Sequence, residues 1–516
     1  MSSVLLQNKM AATTSVLELP EPAPVQRPAH LERLPNELLR KLLSPLPRHH
    51  RAEAEAEAEP KIGPGIPTDL LLPPGLGTEA LAQHAHPYDD IQHDLLSCLL
   101  TSQKLHATAI PLVYRHVRFS KASTFAKFLA QLTRYPALGQ HVQSLDLSEL
   151  GRLQAIAADD LLRCLTLTPL LRTFLAPPHL EPHVDVLRRV LGELPQLTTL
   201  SFKNCTSTAF TEAFANLFDS QRDVCISPSI TDLNLHGCGT LESEIFEILL
   251  PALPRLQKLD IGCTNTPSSA LLSLATTVRL TELNMDYCAN LSSRPVVRFL
   301  TTHAAVQHSL VALSANTRAM HEDAVFSEED LSRLLAQLPR SLKSLHVKTS
   351  MMTPEHLPLL QRLARQLEEL SVGSDLRLAD LECLFLPKTD PTTTHTQAGS
   401  YPEPRTPVTE DGEASKSSLS QAVAVCKLHQ RLSSISASSE DVSPPWTIKR
   451  LDLSSMSIFQ QRKILTSFLL GLHSLPLTRI QIGEEVYVTC KSLTRVCAAV
   501  DWIVTWDGRR CFLSRK

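Results

Sequence analysis

Cysteine and histidine are the residue types in this chain most able to hold a metal or act as a nucleophile and base. It has 12 cysteines and 20 histidines. A Cys-x-x-Cys pair would bind zinc or cycle as a dithiol, because two thiols at that spacing reach one centre. No such pair occurs. His49 and His50 border a low-complexity run, and His84 and His86 lie in a linker-like stretch, with no third ligand at metal spacing. There is no Walker-type phosphate loop, no Gly-x-Ser-x-Gly elbow and no Gly-x-Gly-x-x-Gly turn. The carboxylate pairs Asp89/Asp90 and Glu328/Glu329 precede helical patterns, where acids complement the positive end of the helix dipole. The expectation is a protein with no metal, no cofactor and no catalytic centre.

The cysteines do have a phase. The phrase apolar-x-x-apolar-x-apolar returns as VQSLDL at Val142, LRTFLA at Leu171, LTTLSF at Leu197, ITDLNL at Ile230 and LQKLDI at Leu256. It continues as LTELNM at Leu280, a weaker LVALSA at Leu310, LKSLHV at Leu342, LEELSV at Leu367, IKRLDL at Ile448 and LTRIQI at Leu477. Cys205, Cys238 and Cys288 each stand eight places after the first apolar residue of a phrase, and Cys263 stands seven after. This phrase, its period and a cysteine at that place resemble the leucine-rich repeats. The resemblance implies an α/β fold: a solenoid with a parallel concave sheet, convex helices and a helical N-terminal segment. Small thiols at that position fit beside turn backbone groups, so they read as structural.

Side chains alternate along a strand, so the leucines of each phrase face the core and the residues between them face out. The expected partner surface is therefore Asp146, Asp232, Asn234, His236, Lys258, Asp260, Glu282, Asn284, Asp286, His346, Lys348, Glu369, Arg450 and Asp452. Small polar residues of mixed charge suit a protein or peptide partner. SEIFEILLPALP, SSALLSLATTV, RPVVRFLTTHA and SEEDLSRLLAQLP carry apolar residues three and four apart and read as the intervening helices.

Other segments frame this array. Residues 1–30 read as disordered. LERLPNELLRKLLSPL, with Pro35 in its first turn, reads as a helix, and about 48–86 reads as a low-complexity insertion. Residues 31–120 thus form a helical segment, 121–387 the repeats, 388–446 a Pro/Ser/Thr-rich disordered insertion, and 447–516 the last repeats and a cap. In the insertion, Arg431-Leu-Ser433, Thr406-Pro407 and Ser443-Pro444 are candidate phosphorylation sites. WIVTWDGRRCFL reads as a hairpin about Asp507-Gly508, with Trp502 and Trp506 covering the core. A net charge of −3 gives no basic footprint for nucleic acid. No apolar run is long enough to span a membrane, and the N-terminus lacks secretory or transit features, so cytoplasm or nucleus is expected.

LPNELLRKLL (Leu34 to Leu43) and DLLSCLLTSQKLHATAIPLVYRHVRF (Asp94 to Phe119) resemble the two halves of an F-box, as found ahead of leucine-rich repeats in fungal proteins. Leu95, Leu96, Cys98, Leu99, Ser102, Lys104, Ala109, Pro111, Leu112 and Tyr114 to Val117 carry the second half. The resemblance implies a hook for a Skp-type adaptor of a cullin ubiquitin ligase, formed by Leu34, Pro35, Leu38, Leu39, Leu42, Leu95, Leu96, Leu99 and Leu105. It also implies repeats that present an unidentified protein substrate. The halves are more separated than the family pattern, with 48 positions from Leu46 to Asp94. The alternative class is a repeat scaffold or inhibitor without a ubiquitin role, in which the helices merely cap the array.

Overall fold

A computed structural model describes residues 34–43, 101–384 and 447–515, apart from short interruptions within the last two ranges. The segments read as disordered or inserted, 1–30, 48–86 and 388–446, lie outside the described residues. The chain divides into two compact units, Met1–Arg115 and His116–Lys516.

In the first unit, α1 (Asn36–Leu43) packs against α2 (Gln103–Val113). The Pro35 carbonyl accepts from the Leu38 and Leu39 amides at 3.0 Å each, so the proline starts α1 where its missing N–H costs nothing. Ser102 caps α2 by accepting from the Leu105 amide at 3.3 Å.

The second unit is built on one sheet of 14 strands. They are β1 (His116–Arg118), β2 (Ser144–Asp146), β3 (Thr173–Leu175), β4 (Thr199–Ser201), β5 (Asp232–Asn234), β6 (Lys258–Asp260), β7 (Glu282–Asn284), β8 (Ala312–Ser314), β9 (Ser344–His346), β10 (Glu369–Ser371), β11 (Arg450–Asp452), β12 (Arg479–Ile482), β13 (Trp502–Trp506) and β14 (Cys511–Arg515). Strands β1 to β12 pair in sequence order and in parallel, and β13 and β14 close the edge as an antiparallel hairpin with β14 against β12. Each of the eleven phrases supplies one strand, β2 to β12, and its middle apolar residue stands in register with the next: Leu145 with Phe174, Leu200 with Leu233, Leu259 with Leu283.

Three features depart from the sequence reading. The stretch read only as the end of the helical 31–120 segment holds β1, which pairs with β2 and opens the sheet. The weak phrase at Leu310 gives a regular strand, β8, paired on both sides, with Leu310 and Leu313 fully buried. Trp502 is buried as expected, but Trp506 is 37% exposed and does not cover the core. The long step between the ninth and tenth phrases leaves the sheet unbroken, since Glu369 pairs directly with Arg450.

Helices follow most of the strands: α3 (Ala122–Arg134), α4 (Ala158–Leu167), α5 (Val184–Arg188), α6 (Thr208–Ser220), α7 (Ser243–Leu249), α8 (Ser268–Leu272), α9 (Ser293–Thr302), α10 (Ala304–Gln307), α11 (Glu328–Gln337) and α12 (Leu357–Leu363). Their apolar faces meet the strand leucines. Phe202 after β4 touches Phe210 and Phe214 of α6, with ring centroids 5.4 and 5.7 Å apart. One such unit could not bury its own apolar set, so each depends on its neighbours.

Candidate functional site

The backbone turn that ends each strand explains the cysteines. Seven places after the first apolar residue, the chain takes a left-handed conformation at Asn204, Gly237, Cys263 and Tyr287. The next residue turns back under the sheet. There the Cys205 thiol donates to the Pro177 carbonyl (3.4 Å), Cys238 to Phe202 (3.0 Å) and Cys288 to Ile261 (3.0 Å). Burial pushes all three thiols up, Cys238 and Cys288 to about 12, so they are inert donors. In the phrase at Leu256 the same place holds Thr264, whose hydroxyl donates to the Ile261 carbonyl at 2.6 Å. Cys263 therefore occupies the left-handed place instead, and it is half-exposed while the other described cysteines are buried.

The outward residues form three rows: the first residue of each strand, the third, and the residue two places beyond it, as at His236, Asp286 and Lys348. In the row of first strand residues, Lys258, Glu282 and Arg450 are exposed, and Asp232 and Glu369 are half-buried. These groups pair laterally with one another: Lys258 Nζ to Glu282 Oε1 at 2.7 Å, the Thr199 hydroxyl to Asp232 Oδ2 at 3.0 Å, and Arg450 and the Ser344 hydroxyl to Glu369.

The row of third strand residues has another task. Asp146, Asn234, Asp260, Asn284 and Asp452 each accept, through Oδ1, the backbone N–H two residues on, at 2.9–3.1 Å. This is an Asx turn at the end of β2, β5, β6, β7 and β11, so one oxygen of each of these side chains is already committed. His346 lies beside Ser371 and Glu369, with Nε2 3.5 Å from Oε2 of the latter.

The expectation that all these residues face a partner needs correction at two places. Asp452 is 7% exposed, and His236 is 1% exposed. Asp452 is closed over by Lys348, whose ammonium pairs with its carboxylate and reaches the Ser454 hydroxyl at 3.2 Å. Burial opposes the charge of Asp452, but Lys348 and Ser454 hold it below the usual carboxylate range. His236 is covered because Gly262, which lacks a side chain, lies against its ring; a Cβ there would stand 2.5 Å from Nδ1. Burial disfavours the charged imidazole, yet Asp260 at 3.2 Å from Nδ1 and the nearby Cys263 raise its pKa to about 9. Asp286 is half-buried and accepts from the Ser314 hydroxyl (2.8 Å) and the Asn316 amide (2.7 Å), while Asn316 accepts from the Lys348 amide (2.7 Å). A polar chain thus runs from β7 to β11. No sequence signal marked Ser314 and Asn316 as its members.

In the first unit the expected adaptor residues separate by exposure. Leu38 is 45% exposed and Leu39 only 1%. Leu39 is therefore corrected from contact residue to core. Pro35 is exposed, and Leu34 and Leu105 are half-buried. Lys104 of α2 donates to the Leu34 carbonyl at 2.7 Å, tying the start of α1 to α2. The side chain of Leu42 and residues Leu95, Leu96 and Leu99 lie outside what is described.

Among the described residues no cluster of three or more His, Cys, Asp or Glu could hold a metal, and no helix is long and apolar enough to cross a membrane.

Comparison with known proteins bears on the N-terminal region. The COS11 F-box domain family matches residues 85–152. That range holds α2, β1, α3 and β2 and starts after α1. The chain is 28% identical over 222 residues to the F-box protein YLR352W of Saccharomyces cerevisiae, a stretch covering 38% of this chain and 28% of the relative. The chain thus spans well under half of that relative's length. A solved structure, the yeast Rad7 and Elc1 complex, aligns with 76% of this chain and 84% of its own at 14% identity, with a TM-score of 0.31, too slight a likeness to argue from.

Proposed function

We propose that this protein is a substrate-recognition subunit of a Skp-cullin-F-box ubiquitin ligase and not itself an enzyme. The observation that carries the reading is the F-box match over residues 85–152. The similarity to a yeast F-box protein supports it. The adaptor of Skp type docks on the α1–α2 pair, where Leu38 and Pro35 offer exposed apolar surface on a rigid helix start. Helix-in-groove docking draws its affinity from such faces. The sequential parallel strands with following helices support reading the second unit as a leucine-rich-repeat solenoid. Its outward strand rows form the concave face that holds a protein substrate, and the complex works in the cytoplasm or nucleus.

A scaffold without a ubiquitin role is the second reading. It is favoured by the family match beginning at residue 85, beyond α1. Co-purification of the full chain with a recombinant Skp-type adaptor and cullin separates the two. The first reading expects a stoichiometric complex on size exclusion; a folded chain that elutes alone with the adaptor present supports the scaffold.

A further inference from the structure

A groove of about 280 Å³ runs between α9 and α11, lined by Arg294, Val297 and Arg298 of α9 and by Asp330 and Arg333 of α11. Positions 294, 298 and 301 share one face of α9, and 330, 333 and 337 share one face of α11. Both helices pack on the leucine side of the sheet, away from the outward strand rows. The charges of α9 run against its own stability. Arg294 stands in the first turn, which holds no acid, and the positive end of the dipole opposes a cation there. Arg298 stands four positions on, where a like charge destabilises the helix further. No acid occurs in α9 to offset them, and Arg333 faces the same groove from α11. A local rule broken without local compensation points to a functional site.

The acids of the groove are already committed. Asp330 is buried; one of its oxygens takes the Ser293 hydroxyl, and the other lies 3.7 Å from Nη1 of Arg333. Glu329 meets Nη2 of the same guanidinium at 2.5 Å. Two acids thus meet three arginines. Arg298 is left over: it is exposed, and its guanidinium has no hydrogen bond or ion pair among the described residues. The hydroxyls of Thr301 and Thr302 do not cover it, because they donate to the Val297 and Arg298 carbonyls at 2.7 and 2.8 Å.

We infer that the α9–α11 groove is a docking site for a partner segment bearing one phosphoserine or phosphothreonine. A guanidinium presents paired N–H groups that match two phosphate oxygens, and Arg298 is free to do so. Arg294 lies one turn away on the same face, and Arg333 stands across the groove. A phosphorylated side chain carries about −1.5 to −2 charges at pH 7 and three acceptor oxygens, so it gains more from this cluster than a carboxylate does. The volume suits one such side chain and is small for a drug-sized ligand. Thr302 and Gln337 line the other end of the groove, beside the path of the peptide backbone. The segment would bind without competing with a protein held on the outward rows, and the inference is independent of the adaptor reading.

The full chain is titrated, by fluorescence anisotropy at physiological salt, against a labelled degenerate peptide pool with one central phosphoserine and no acidic residues, and against its unphosphorylated twin. The phosphorylated pool is expected to bind at least about tenfold more tightly. Arg298→Ala should remove about tenfold or more of that affinity with the melting temperature unchanged, since the side chain is exposed and unpaired. Arg298→Lys keeps the charge but not the fork, so it should bind more weakly than the parent, and it decides the matter if Arg298→Ala does not fold. Arg255→Ala, at an exposed arginine outside the groove, should bind as the parent does. Equal binding of the two pools overturns the proposal. So does parent-like affinity in the Arg298 variants, an equal loss in Arg255→Ala, or displacement of the peptide by inorganic phosphate at the peptide's own concentration.

Discussion

The helical pair of the first unit and the outward rows of the sheet were both expected to bind partners, and they are built in opposite ways. On α1, Leu38 is exposed with its neighbour Leu39 fully in the core, so apolar surface is held out without internal use. On the sheet, nearly every polar group is already used: Lys258 by Glu282, Glu369 by Arg450, Asp452 by Lys348, and the Asx residues by their own turns. A partner on α1 gains from burying surface that water covers in the free protein. A partner on the sheet must exchange existing bonds for new ones, which yields specificity more than affinity. Outward polarity in these repeat strands thus serves first to end strands and join neighbours.

The comparison can be broken by substitutions whose effects differ in size. The largest effect on the sheet is expected for Asp452→Ala, which strands the Lys348 ammonium among buried groups. Loss of one partner of a buried pair costs about 3–5 kcal/mol, read as a lowered urea midpoint. A midpoint unchanged from the parent would mean that the polar chain from β7 to β11 stabilises nothing. His236 should give a smaller effect that depends on pH. Its folded pKa of about 9 lies above the unfolded value of about 6.5, so its contribution is complete below the unfolded value and is lost as pH rises through about 9. The melting-temperature gap between parent and His236→Gln should therefore shrink between pH 6 and 9.5; a constant gap would show that the charged ring is not what stabilises the fold. The smallest effect belongs to Lys258→Ala. Its pair with Glu282 is about half-exposed, so stability should fall by less than about 1 kcal/mol.

The strands were legible because burial of a leucine set imposes a fixed spacing that any repeat must obey. Where aromatic and β-branched residues keep the spacing, as Tyr114, Val117 and Phe119 do before β2, the leucine phrase hides a true strand. The Leu310 phrase ends on Ala315 as the Leu171 phrase ends on Ala176, and both alanines are buried, at 1% and 2% exposure. The fate of the outward residues was not legible, because it depends on residues of other repeats, which stand far off in the sequence. His236 is buried by the bare Gly262, and Asp452 by Lys348 across the long insertion. Likewise helical spacing alone put Leu38 and Leu39 on one stripe, and only packing of α1 on α2 separates contact from core. In the cysteine series, Cys263 stood one place early, and that single offset marked the residue whose surroundings differ from the rest.

The most direct test of the account is the affinity of the full chain for a Skp-type adaptor, measured by titration calorimetry for the parent and for Leu38→Asp. Leu38 is exposed, so the variant should melt as the parent does. Burying its new charge in an apolar contact should weaken binding by at least about tenfold. Equal affinities for parent and variant, or no binding by a folded parent, would contradict the claim that α1 is the adaptor hook.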